Sequence, residues 1–305
     1  MAKGKRINRK LIYAIVVIVL AVISAFGLDN YDKLFGEEYP WESTQTVTTD
    51  MINVHYIDVG QGDCTLVICG GETLLIDAGE NGYEQKVINY LNSVGVKKLD
   101  YIVATHQHSD HIGGIPEVLE NFDTDNIIMP RLTEAQTPTN STYTAFLKAI
   151  QNSGAKIIAS KVGSKYTLGG AIFEIFGPVT NDAEDINNMS VVVKVTYGEN
   201  TFLFTGDAET DEEKEVIETG ANLDSDVLHA GHHGSYTSSS KDFLDAVTPE
   251  ICIISCGADN DYGHPHDAAL KRIKKHTEKI YRTDICGSIV ISGDGSVLSV
   301  TYENQ

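Results

Sequence analysis

Hydrophobic and polar positions change period along this chain, and the changes divide it. Leu11 to Leu28 is one uncharged apolar run of 18 residues. From Met51 onward, short runs rich in β-branched and aromatic residues alternate with stretches of helical period, which predicts an α/β domain. Strands are expected in INVHYI, CTLVIC, TLLID, DYIVAT, NIIMP and KIIAS, then in AIFEIF, SVVVKVTY, TFLFTG, DVLHA, EICIIS, SIVIS and SVLSVTY. Helices are expected around Tyr83–Ser93, Ser141–Asn152, Glu209–Glu218, Lys241–Ala246 and Asp267–His276. Gly70-Gly71 and Gly198-Glu199-Asn200 separate paired runs and read as hairpin turns. Each half has a strand ending at a carboxylate, LLIDAG at Asp77 and FLFTGD at Asp207. A pseudo-symmetric sandwich that brings the two strand ends together is the architecture this implies.

The N-terminal run changes the picture of location. At roughly 1.5 Å per residue, such a run comes close to crossing a bilayer. Lys3, Lys5, Arg6, Arg9 and Lys10 precede it, which predicts a cytoplasmic N-terminus and an extracytoplasmic remainder. A single-pass anchor is the preferred reading. A cleaved signal peptide, giving a secreted product, competes with it, because Ala25 and Gly27 are small residues at suitable spacing. Residues 29–50 show no period and read as a tether. The expected organisation is therefore a basic stub and anchor over 1–28, a linker over 29–50 and one globular domain over 51–305.

Charge narrows the partners. Those five basic residues account for all the Lys and Arg before position 29, leaving 18 against 43 Asp and Glu, a formal charge of −25. Such a surface repels polyanions at long range, so no stable nucleic-acid complex is expected. The five cysteines include no CxxC pair, which argues against a thiolate zinc site, and buried free thiols are the simpler account.

Candidate chemistry concentrates in Thr105-His106-Gln107-His108-Ser109-Asp110-His111-Ile112-Gly113-Gly114, a loop that follows the strand DYIVA and precedes a helix. Three imidazoles and one carboxylate within six residues form a ligand set for zinc, iron or manganese. Alternation puts His106 and His108 on one side, and the turn lets Asp110 and His111 reach a neighbouring ion.

This string resembles the H-x-H-x-D-H signature of the metallo-β-lactamase superfamily. DVGQGD at Asp58–Asp63, NNMSVVV at Asn187–Val193, GHHGSYTSSS at Gly231–Ser240, YGHPH at Tyr262–His266 and YRTD at Tyr281–Asp284 resemble the hydrolase domain of ComEC-type competence proteins. The resemblance spans about residues 52–301 and implies a four-layer αββα sandwich, here preceded by one N-terminal hydrophobic helix, with two divalent ions, Zn or Mn.

Residue by residue, the resemblance implies His106, His108 and Asn188 on one ion. It puts Asp110, His111 and one of His232 or His233 on the other, His232 preferred, with Asp207 bridging. A third histidine common in the superfamily is absent here, and Asn187-Asn188 occupy that stretch. Asp77 is expected to support a ligand histidine. Asp63, His233 and Ser235 are candidates for metal support or substrate contact, and His264 for donation to a phosphate or leaving group. Ser238 and Ser239 are expected to cap the following helix. His55, His229 and His276 carry no pattern that demands function.

The resemblance implies hydrolysis of a phosphodiester, DNA in the first reading, by an exported nuclease linked to competence and DNA uptake. This chain lacks the many spans of a transport channel. A surface phosphodiesterase acting on wall-polymer esters such as phosphorylcholine is the alternative. A non-catalytic binding module is the third, although Asp110, His111 and Asp207 are all present.

Overall fold

In the computed structural model, the described residues are 51–304, and their strands fall into two sheets. The expected hydrophobic helix, the linker and the choice between anchor and signal peptide lie outside the described residues. Among the described residues, no helix is long and apolar enough to cross a membrane.

The first sheet runs in spatial order β15 (Leu298–Tyr302), β14 (Ile289–Gly293), β1 (Ile52–Tyr56), β2 (Thr65–Cys69), β3 (Glu72–Ile76), β4 (Lys98–Val103), β5 (Asp123–Met129) and β6 (Lys156–Ala159). The second runs β13 (Lys279–Arg282), β12 (Ile251–Ile254), β11 (Val227–His229), β10 (Asn200–Phe204), β9 (Val193–Tyr197), β8 (Ala171–Ile175) and β7 (Lys165–Leu168). Both sheets change direction at one strand. Pairing is antiparallel from β15 to β3 and parallel from β3 to β6. In the second sheet it is antiparallel from β7 to β10 and parallel from β10 to β13. The pivot strands β3 and β10 are the two that lead into Asp77 and Asp207. Ligand sites in α/β sheets commonly form outside the carboxyl ends of the parallel strands.

Both expected hairpins form. Gly70 and Gly71 take φ 56° and 83°, the left-handed pair that lets Cys69 face Glu72 across a two-residue turn. Strands β7 (KYTL) and β13 (KIYR) were not expected. They are the two edges of the second sheet, each only four residues long and carrying lysine at its start, so their signal is short.

Helices cover both outer faces, giving four layers. Against the first sheet pack α1 (Glu84–Ser93), α3 (Ile115–Asn121) and α4 (Ser141–Ser153), which bury Val87 and Leu91, Ile115 and Val118, and Phe146 and Ile150. The short α2 (Ser109–Ile112) belongs to the metal-loop turn. The second sheet carries α5 (Thr210–Glu218), α6 (Lys241–Val247) and α7 (Asp267–Ile273), burying Val216, Phe243, Leu244, Val247 and Ile273. A one-turn α8 (Thr283–Cys286) follows β13. Asn140 caps α4 by accepting from Tyr143 N, and Gly154 ends it at φ 74°. The cap of α6 is Ser240, accepting from Phe243 N, and not Ser238 or Ser239 as expected.

The third core lies between the sheets and contains Tyr56, Phe173, Phe202 and Phe204. Burying a phenylalanine side chain contributes about 1.5–3 kcal/mol. Truncating Phe202 to alanine therefore costs about 3–5 kcal/mol once the cavity is included. All five cysteines are free thiols, four of them buried.

Candidate metal centre

Five loops leaving the carboxyl ends of β3, β4, β10, β11 and β12 meet at one rim, and they carry most of the residues singled out above. Val191 N donates to Thr105 O at 2.9 Å, tying the two halves together, and within the second half His232 N donates to Gly206 O at 3.0 Å. Three of the non-glycine residues with left-handed backbone are in this rim: Asp77 (φ 57°), His232 (φ 49°) and His233 (φ 53°). Asp and His tolerate this region better than most residues, and each such position still costs on the order of 1 kcal/mol. The consecutive left-handed turn aims the two imidazoles in different directions.

Two donor groups result, and Asp207 belongs to both. Asp110, His111, Asp207 and His233 each bring one ligand atom within 4.8 Å of the others; His106, His108 and Asp207 do the same. His111 Nε2 lies 3.1 Å and His233 Nε2 3.6 Å from Asp207 Oδ1, while His233 Nε2 is 3.2 Å from Asp110 Oδ2. On the other side, His106 Nε2 and His232 Nε2 each lie 3.7 Å from Asp207 Oδ2, and His106 Nε2 faces His108 Nδ1 at 3.1 Å. His111 Nε2 and Asp207 Oδ1 are buried and 3.1 Å apart, yet neither makes an aligned hydrogen bond. Buried polar atoms left this way are costly unless they share a further partner, so the donor set fits a bound cation.

A second set of contacts orients the imidazoles. Asp77 Oδ2 accepts from His111 Nδ1 at 2.8 Å and from Thr105 Oγ1 at 2.6 Å, while its Oδ1 accepts from Thr105 N at 2.8 Å. Ser255 O accepts from His233 Nδ1 at 3.1 Å with Asp63 Oδ1 alongside at 3.2 Å. Glu209 Oε1 accepts from His232 Nδ1 at 2.9 Å and from Thr237 Oγ1 at 2.6 Å. Each Nδ1 hydrogen goes to an oxygen that can only accept, so each Nε2 is left with a lone pair facing the centre.

The charges follow. Burial pushes His111 down, but the facing Asp207 and Asp77 carboxylates outweigh it and hold its pKa well above the ordinary value. His233 behaves alike, burial being overcome by Asp207, Asp110 and Asp63. Burial pushes Asp207 up, and His111 and His233 pull it well below the carboxylate range. Burial lowers both His106 and His108. The carboxylates thus demand positive charge. Protons on His111 and His233 answer it, and divalent cations answer it by displacing those protons.

Several expected residues sit differently. In the group with Asp110 and His111 it is His233, not His232, that faces them; His232 turns toward His106. Asn188 does not present its amide oxygen to the centre: Oδ1 accepts from Glu209 N and Glu212 N at 3.0 and 3.3 Å, closing the start of α5. An amide so placed satisfies orphan helix donors. Ser235 is buried, with Oγ on Thr237 Oγ1 at 2.9 Å, and braces the loop. Asp63 is buried behind His233, beyond a simple turn role. His264 packs its ring 5.3 Å from that of His232 and 5.9 Å from that of His233.

Glu209, Thr105, Ser190 and His229 were not singled out by the sequence reading. Ser190 Oγ accepts from Asp207 N at 3.0 Å, and buried His229 holds Ser255 Oγ at 2.8 Å with Asp63 3.8 Å away. Only Glu209, two residues after Asp207 at a helix start, had a readable signal.

Comparison with known proteins places this centre in context. Residues 57–258 match the family model described as "Metallo-beta-lactamase superfamily". ComE operon protein 3 of Bacillus subtilis is 30% identical over 254 residues, covering 77% of this chain and 32% of that protein. Competence protein ComA of Neisseria gonorrhoeae is 35% identical over 234 residues, 76% of this chain and 31% of its own length. The chain thus spans about a third of the length of these relatives. Among solved structures, the metallo-β-lactamase fold protein YhfI of Bacillus subtilis superposes with a TM-score of 0.52 at 17% identity, covering 80% of this chain and all of that one. With the family match spanning most of the described residues, the chain belongs to the metallo-β-lactamase superfamily.

Proposed function

We propose that this chain is a metal-dependent phosphodiesterase that hydrolyses DNA outside the cell. The observation that carries the reading is Asp207, a single buried carboxylate with one oxygen toward each donor group. In this reading Asp110, His111 and His233 would hold one divalent ion, and His106 and His108 would hold a second. His232 stands in for the third imidazole, and Asp207 serves both. Two divalent ions, Zn or Mn, supply Lewis-acid charge for the phosphate and a water of lowered pKa.

The chain's own residues do the rest. Asp77, Ser255 and Glu209 take the Nδ1 hydrogens and fix the imidazole tautomers. Burial, together with the neighbouring His233 and His232, pushes His264 down to about 4, so its ring is neutral at ordinary pH. Its buried Nδ1 has no partner, and a neutral ring packed against His232 and His233 could donate one N–H to a phosphate oxygen or to the departing oxygen. DNA as substrate draws support from the likeness to competence proteins. The acidic composition argues for transient rather than stable association. Export through residues 1–28, with 29–50 as tether and 51–305 as the working domain, belongs to the same proposal.

The test is cleavage of end-labelled DNA by the full chain with Mn²⁺, Zn²⁺ or chelator, beside an Asp110→Ala variant. Metal-dependent cutting that the variant loses is expected. Intact DNA, with metal bound to folded protein, overturns the assignment and turns attention to phosphorylcholine and other small diesters. A folded chain that binds no metal and turns over nothing is a binding module.

A further inference from the structure

The rim beside the metal centre carries an aromatic ladder whose outer rungs the hydrolytic chemistry does not use. Tyr262 stacks on His264, with centroids 5.6 Å apart and planes at 18°. His264 meets His266 edge-on at 4.8 Å, and His266 meets Tyr236 at 5.0 Å. The inner rungs touch the candidate ligands through His264; the outer rungs face solvent, Tyr236 being 63% and Tyr262 64% exposed. The exposed tyrosines at its two ends present flat aromatic faces to solvent at the rim.

Both ends are held by their backbones, so neither ring is needed to fix its loop. Arg272 donates to Tyr236 O at 2.9 Å and to Ser238 O and Ser239 O at 2.6 and 2.8 Å, and Tyr236 N donates to His266 Nδ1 at 3.1 Å. Asn260 Oδ1 accepts from Tyr262 N and His264 N at 3.2 and 2.9 Å. The rings are therefore presented on a fixed frame, which lowers the entropy lost when a flat partner settles on them.

From this ladder we infer that Tyr236 and Tyr262 form a base-stacking platform for unpaired nucleobases on either side of the scissile phosphate; this rests on the DNA-hydrolase reading above. The occupant is a single strand, because a base inside a duplex offers no free face to a protein ring. The acidic composition points the same way. A surface with far fewer cations than carboxylates gains little from phosphate contacts, so stacking on aromatic faces has to carry a larger share of the binding. A single strand is thereby selected over a duplex by its exposed bases.

The experiment measures kcat/KM of the full, metal-loaded chain on labelled oligothymidylate and on an abasic oligonucleotide of equal length. Tyr236→Ala, Tyr262→Ala, the double variant and the matching phenylalanine variants are compared. Each alanine is expected to lower the rate on oligothymidylate roughly tenfold. Phenylalanine retains it, and on the abasic strand wild type and variants converge. Equal losses on both strands, or none on either, overturn the platform. Wild type that cuts neither strand overturns the DNA reading beneath it, an outcome distinct from wild type cutting oligothymidylate no faster than its alanine variants.

Discussion

The two donor groups flanking Asp207 differ in how they are held. The deep group is buried at His111, His233 and Asp207, and each imidazole has a buried acceptor behind it, Asp77 for one and Ser255 with Asp63 for the other. The outer group is open: His108 is exposed, His232 is half-buried, and the partner behind His232 is Glu209, itself half-buried. In the deep group the carboxylates outweigh burial and raise the imidazole pKa values, whereas His106 and His108 are pushed down by burial. The difference teaches that one fold can enclose one donor group and leave its neighbour open to solvent, and it predicts that a cation in the open group would exchange faster.

The sharpest way to break this comparison is to remove the residue common to both sides. Asp207→Ala is expected to lower kcat/KM on DNA by on the order of 10³-fold or more. It is also expected to reduce bound metal on both sides, read by elemental analysis of the dialysed protein. Loss of only one ion from this variant ends the bridging role. Next in size come the ligand imidazoles singly: His233→Ala is expected to lower retention of the deep ion, and His232→Ala to alter only the faster-exchanging one. Identical metal content in the two variants sinks the assignment of the pair to different groups.

Legibility in the sequence followed the range of the contacts. The two-sheet α/β architecture was readable because inner strands such as ICII and TFLF carry their burial in their own residues. His106, His108, Asp110 and His111 were readable because one loop holds them all. The pivot strands ending at Asp77 and Asp207 were visible as acidic strand ends. The choice between His232 and His233 was not, since it depends on two consecutive left-handed residues that re-aim the rings. The helix-start role of Asn188 was not readable, because an amide suits a metal and a helix start alike and the donors it serves lie 21 and 24 residues away. His229 and Ser190 act only through partners the chain folds back to meet.

Smaller effects test the acceptors behind each group. Asp77→Asn is expected to weaken the deep ion about 10- to 100-fold, measured by competition with a chromophoric chelator, since such partners tune ligand basicity. Glu209→Gln touches a more exposed pair, so its effect falls at the low end of that range and on the faster-released ion. A slower-released ion weakened by Glu209→Gln, with Asp77→Asn silent, inverts the comparison drawn above.

The smallest effect concerns stability behind the open group. Glu212 lies in the first turn of α5, under the Asn187–Ser190 turn, fully buried, with neither carboxyl oxygen making a well-formed hydrogen bond. Burial, with Glu215 and Glu213 nearby, raises its pKa well above the ordinary 4.5. The folded state therefore holds a proton that the unfolded chain releases above pH 4.5. That contribution to stability is fully present below the unfolded value and is lost as pH rises toward the folded one. Glu212→Gln removes the titration, so the thermal midpoints of variant and wild type should agree near pH 4 and separate in the variant's favour by pH 8. Adjacent Glu213 is buried too, but Ser239 N and Ser240 N donate to its carboxylate, so its glutamine variant loses an acceptor and should fall below wild type. Parallel behaviour of the two variants across pH refutes the view that Glu212 is the unpaired member of the pair.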